Sequence, residues 1–196
     1  MACLRAPDVL TSLRNLVRHR ALLRALTMRE VQARYRGSVL GFLWSLLNPL
    51  VLLLVYTFVF STLLKSGGPA PFGAFLFTGI LPWTWLSSAL LESSWSIVHG
   101  GVLLRKVVFP AEVLPLVPVL ANAIHFLTAL PVLIVVLTFF GHAPGIYALA
   151  IIPVFFIQLL LTIGLALIIS ALSVLFRDVP QLVNHFITFG FFLVPI

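Results

Sequence analysis

The sequence predicts an all-α polytopic membrane protein. Three observations carry this. Of 196 residues, 61% are hydrophobic and only 9% are charged, against roughly 25% charged in an ordinary soluble domain. The mean hydropathy is +1.18, too high for disorder and too poor in polar side chains to cover a water-facing surface. The charges also fall in clusters, separated by charge-free apolar runs longer than the roughly 20 residues that a membrane crossing needs. Those runs show no period-2 alternation, which selects helices over a β-barrel.

The first element is basic. Arg5, Arg14, Arg18, Arg20, Arg24, Arg29, Arg34 and Arg36 all precede the first apolar run. Leu10, Leu13, Val17 and Ala21 follow a helical stripe, so residues 1–36 read as a basic cytoplasmic segment with an amphipathic interfacial helix near 9–28. Residues 37–196 read as a transmembrane domain. No charge occurs from Gly37 to Leu64, from Ser66 to Leu91, from Val113 to Phe176, or after Asp178. The long third run is divided by the turn signal Gly141-His142-Ala143-Pro144-Gly145. Five spans follow, at 39–64, 73–97, 113–140, 146–175 and 180–196. With the N-terminus inside, every one of the 12 Lys and Arg residues except Lys65 faces the cytoplasm, as the positive-inside rule requires. This arrangement accounts for the net charge of +7 without nucleic acid. The apolar run begins too late and runs too long for a cleaved signal peptide. The short fifth span, with no polar anchor after it, suggests a C-terminally incomplete chain. The one cysteine, Cys3, excludes an internal disulfide framework and a cysteine-based metal cluster.

Four blocks carry a family resemblance. The stretch from Arg34-Tyr35-Arg36-Gly37-Ser38 through Gly41-Phe42-Leu43-Trp44 to Pro49, then Leu81-Pro82-Trp83-Thr84-Trp85, then Arg105-Lys106 through Phe109-Pro110-Ala111-Glu112 to Pro115, and then Leu175-Phe176-Arg177-Asp178-Val179 resemble, in order and spacing, ABC transporter permeases of the type-2 class that exports polysaccharides and polyol phosphates (O-antigen, teichoic acid, capsule). The likeness covers nearly the whole chain and departs at Gly100-Gly101, where relatives carry polar residues. It implies a six-helix permease of a bacterial inner membrane, of which this chain holds five spans. It also implies a homodimer of permeases, a separate ATPase subunit that binds the ATP, and a lipid-linked glycan as cargo.

The residues themselves supply no engine. Neither of the two lysines follows a GxxxxG run, and HExxH and GxSxG are absent. Hence no catalytic, cofactor or metal site is expected on this chain. Glu30, Glu92, Glu112 and Asp178 all fall at the inner boundary. His125 is the best intramembrane ionisable group, as a helix-bonded histidine or a relay. Energy must therefore enter from a partner. The inner loop between spans two and three, about 98–112, carries His99, Arg105, Lys106 and Glu112. A short helix there could seat in a cleft of a cytosolic ATPase; the resemblance implies that this is the coupling element. Arg177 and Asp178 form either a second inner-face contact or a neutralised turn. Trp83 and Trp85 lie about ten residues into span two, roughly 15 Å deep, and Tyr56 is similarly deep in span one. Such aromatics either pack or line a path along which sugars and isoprenoids slide. Alternatives remain a type-2 permease for drugs or other lipids, an intramembrane lipid-modifying enzyme, and a non-transporting scaffold.

Overall fold

The computed structural model describes residues 18–34, 36–37, 72–106, 109–139 and 145–193, with isolated positions between 43 and 58. Most of the expected first span, including Tyr56, and Lys65 lie outside the described residues, as do most of the amphipathic stripe and the Gly141–Pro144 turn. Every described element is helical: α1 (Arg20–Ala33), α2 (Phe72–Lys106), α3 (Val113–Phe139), a 3-10 turn (Ile146–Ala150) leading into α4 (Ile151–Leu175), and α5 (Val179–Leu193).

Sequence dictates these boundaries locally. Pro115 and Pro180 fall in the first turns of α3 and α5, where the missing N–H has no helical acceptor to lose. The turn before α3 closes with Val113 N donating to Pro110 O and Leu114 N to Ala111 O, both at 3.1 Å. Phe176 ends α4 in an extended conformation at φ −126° and ψ 117°. Leu182 N then bonds Asp178 O at 3.0 Å, which starts α5.

One boundary differs from the sequence expectation. The loop foreseen over 98–112 is helix as far as Lys106, because α2 continues through Gly100 and Gly101. Gly100 is a point of close approach rather than a turn: a Cβ there would lie 2.5 Å from Leu114 Cδ1, so that side chain would have to shift. The glycine thus lets α2 and α3 lie close together near the tip of their hairpin.

The core is built from one stripe per helix. Phe77, Leu81, Trp85 and Ala89 repeat every fourth residue along α2 and are all buried. They meet Val119, Ala123, Phe126, Ala129 and Leu133 of α3. The α2–α3 pair is the most extensive contact; α4 packs on both, α1 on α3, and α5 mainly on α2. The inward face of α4 is narrow and small, comprising Thr162, Ala166, Ser170 and Ser173. Its outward face exposes Phe156, Ile157, Leu160 and Leu175.

Two helical stretches are long and apolar enough to cross a membrane by length and composition, Val113–Thr138 with mean hydropathy 2.2 and Ala148–Leu175 with 2.6. Hydroxyl groups agree with an apolar medium. Thr78, Thr84, Ser87, Thr128, Thr138 and Thr188 each donate to a carbonyl three or four residues earlier in their own helix, which satisfies the donor without water.

Candidate functional site: the polar junction of α1, α2 and α3

The polar side chains meet at the basic end of the bundle. α1 presents Thr27 and Val31 to the interior, and Arg34 follows three residues later, on the same helical face. Its guanidinium bridges two other helices. Nη1 donates to Asn122 Oδ1 of α3 at 3.1 Å, and Nη2 forms an ion pair with Glu92 of α2. Asn122 Nδ2 donates to Glu92 Oε2 at 3.0 Å and to Pro118 O at 2.9 Å. The Pro118 carbonyl lies on α3 itself, so Asn122 is held by its own helix while it joins the other two. The pair is only partly enclosed, with 28% of Arg34 and 37% of Glu92 exposed. The network therefore works less as buried-charge stabilisation than as a three-way tie. Nearby, Ser93 Oγ bonds Pro115 O at 3.0 Å.

Beside this tie a groove of about 760 Å³ runs between α1, α2 and α3, with Arg29, Glu30, Trp95, His99 and Leu114 among its walls. Trp95 and His99, one helical turn apart, stack with ring centroids 5.4 Å apart and planes 8° from parallel.

The structure separates the residues foreseen as a coupling loop. His99 is exposed on α2, Arg105 and Lys106 close that helix, and Glu112 sits in the turn before α3. All belong to the tip and lower flank of one helical hairpin. Arg177 and Asp178 are exposed in the α4–α5 turn. The two tryptophans part company. Trp85 is 3% exposed and forms a three-ring cluster with Phe126 and Phe155, each with its centroid 5.1 Å from the indole and the two 6.1 Å from each other, and its Nε1 donates to Val119 O at 3.4 Å. Trp83 is half-buried against α5, where its ring meets Phe191 at a centroid distance of 6.4 Å. A second cavity, about 350 Å³, opens above the Trp85 stack between α2, α3 and α4. On its wall Gln158 Nε2 donates to Pro82 O at 2.7 Å.

Sequence reasoning placed Arg34 in a motif and Glu92 at the inner boundary, but it missed Asn122. The available signal was a lone amide in the apolar run of α3, one residue type that such a run does not tolerate without a partner.

Comparison with known proteins accords with this architecture. Residues 21–196 match the family model described as ABC-2 type transporter. The chain is 39% identical over 183 residues to the O-antigen export system permease protein RfbA of Myxococcus xanthus, covering 93% of this chain and 70% of that protein. It is 36% identical over 176 residues to the O-antigen export system permease protein RfbA of Klebsiella pneumoniae, covering 89% and 68%. A second Klebsiella pneumoniae protein of that name is 35% identical over the same length. With a family match over nearly its whole length and an all-helical bundle of apolar helices, the chain belongs to the ABC-2 type transporter family.

Proposed function

We propose that this chain is the membrane-spanning permease subunit of an ATP-driven exporter of lipid-linked polysaccharide. The observation that carries the reading is the likeness to O-antigen export permeases over about nine-tenths of the chain. ATP hydrolysis in this reading belongs to a separate ATPase subunit. In this reading two permease copies assemble in a bacterial inner membrane, each with its N-terminus in the cytoplasm. α2 and α5 cross along with α3 and α4, and the first apolar run supplies the remaining span.

The geometry suggests how force would travel. The ATPase grips the α2–α3 hairpin tip through Arg105, Lys106 and Glu112, with His99 on its flank and Arg177 and Asp178 as a second contact. Motion of that tip carries α1 with it, because Arg34 ties α1 to Glu92 and Asn122. Higher along α2, the cluster of Trp85 with Phe126 and Phe155 keeps the helix seated on α3 and α4. Trp83, at the α2–α5 contact, offers a ring face to a passing glycan; Tyr56 is assigned to the same path from the sequence alone. Packed elements of this kind move as rigid bodies rather than bending.

Deleting the chain in its own cell and locating the lipid-linked polysaccharide tests the reading. Accumulation on the cytoplasmic face, reversed only when the chain is restored together with an ATPase that co-purifies with it, is the expected outcome. Normal surface polysaccharide in the deletion strain would remove the glycan assignment. A chain that purifies without any ATPase would remove the transporter mechanism.

A further inference from the structure

The groove between α1, α2 and α3 is unlike the rest of the molecule, because it is amphipathic along its length and carries one unpaired charge of each sign. Its volume of about 760 Å³ falls inside the range of roughly 300–1,000 Å³ typical of small-molecule sites. One part of its wall is apolar, formed by Leu26, Leu114 and Val117. The other part carries Arg29 and Glu30. These two are sequence neighbours, so they project about 100° apart around α1 and do not pair with each other. Neither side chain has a partner among the described residues. Glu92, the third charged group on the rim, is already neutralised by Arg34. The groove therefore offers one free guanidinium and one free carboxylate. Trp95 also lines the groove, 38% exposed and stacked on His99. Indole side chains with this mixed exposure favour the level of lipid headgroups.

We propose that this groove binds one membrane phospholipid whose headgroup carries both a phosphate and an ammonium group, as phosphatidylethanolamine does. Arg29 takes the phosphate, for which a guanidinium has matching fork geometry. Glu30 takes the ammonium. The glycerol backbone lies on Trp95, and an acyl chain follows Leu26, Leu114 and Val117 toward the bilayer core. Charge complementarity selects this occupant over an anionic lipid such as phosphatidylglycerol, which would leave the Glu30 carboxylate unpaired beside a second negative group. The bound lipid then mortars α1 to the α2–α3 hairpin alongside the Arg34 tie, whose Glu92 stands on the same rim.

The test is native mass spectrometry of the permease released from membranes and supplied with equal amounts of phosphatidylethanolamine and phosphatidylglycerol. The parent protein should keep one phosphatidylethanolamine after the loosely held lipids have gone. Arg29→Gln should lose about tenfold in retention of either lipid, and Glu30→Gln should lose about tenfold in preference for phosphatidylethanolamine, the effect of removing one charge-assisted hydrogen bond. Arg24→Gln, which removes an equally basic residue outside the groove, should leave retention unchanged. Equal retention of the two lipids by the parent protein would overturn the proposal. So would a loss in Arg24→Gln as large as that in Arg29→Gln, since the attraction would then be a general effect of the basic helix. Neither result bears on glycan export, which the deletion experiment reads separately.

Discussion

Trp83 of α2 occupies the space that a side chain at Gly190 of α5 would need: a Cβ built on Gly190 comes within 2.7 Å of the indole Cη2. The two helices therefore meet ring against backbone, and the size of residue 190 sets how deeply α5 seats. Gly190→Ala should push the indole aside and lower stability by about 1–3 kcal/mol from overpacking, less up to about 1 kcal/mol returned by alanine's better helix propensity. Thermal unfolding in detergent measures the net loss. Combining the change with Trp83→Phe should restore most of it, and a double variant as unstable as the sum of the two singles would mean that the residues do not touch.

The three-helix tie makes a second prediction. Glu92→Gln and Arg34→Gln should each cost about 1–3 kcal/mol, the loss of charge-assisted hydrogen bonds at a site that still keeps 28% and 37% of its surface exposed. Because both changes break the same bond, the double variant should cost less than the sum, with a coupling of about 0.5–3 kcal/mol. Asn122→Ala should be comparably harmful, since it removes one partner from each of the two charged groups. Strict additivity of the Arg34 and Glu92 changes would mean that α1 is not held through this pair.

Adjacent glycines should respond in opposite ways. At Gly100 a methyl group collides with Leu114 Cδ1, whereas at Gly101 nothing lies within 4 Å. Gly101→Ala should be neutral or should stabilise by up to about 1 kcal/mol through helix propensity. Gly100→Ala should destabilise by about 1–3 kcal/mol and be relieved by Leu114→Ala. The same thermal measurement reads both, and equal effects at the two positions would argue against a close crossing at Gly100.

The hairpin tip supplies the fourth prediction. Reversing both charges, Arg105→Glu with Lys106→Glu, should leave the permease inserted and folded but reduce substrate-stimulated ATP hydrolysis by about fivefold or more, the scale of a typical coupling free energy. Reconstituted vesicles containing the ATPase would show it. A cysteine at position 105 should react only with reagents applied from the cytoplasmic side, and one at 65 only from outside. Labelling of position 105 from outside would invert the topology and remove the coupling role.

Much of this was legible in the sequence because the forces involved are local. Charge-free runs set where α3 and α4 lie, and Arg177-Asp178 correctly marked the turn between α4 and α5. What failed was local in another way: the inner loop was expected from about 98, yet Gly100 and Gly101 each cost a helix only about 1 kcal/mol. α2 runs through both, with Gly100 in close approach to Leu114, and ends at Lys106. The tryptophans show a different limit. Sequence distance gives depth, but residues two apart point roughly 200° apart around a helix, so Trp85 enters the core while Trp83 meets α5. Nothing in the sequence says which turns which way. Asn122 illustrates the third limit, because its partners lie 30 and 88 positions away and no short-range pattern links them.

The hydroxyls on the inner stripe of α4 have a mechanical consequence. Thr162, Ser170 and Ser173 bond only to carbonyls of their own helix, and with Ala166 they form a face of small side chains. Across that face α4 has one hydrogen bond to a neighbour among the described residues, from Gln158 to Pro82. α1, α2 and α3, by contrast, are stitched together through Arg34, Glu92, Asn122 and Ser93. The molecule thus has a block laced by hydrogen bonds and, beside it, an interface held mainly by apolar packing. Among the described residues, turning α4 about Gln158 breaks no other interhelical hydrogen bond, so what resists shear there is side-chain packing, the Phe155 stack on Trp85 and Phe126 above all.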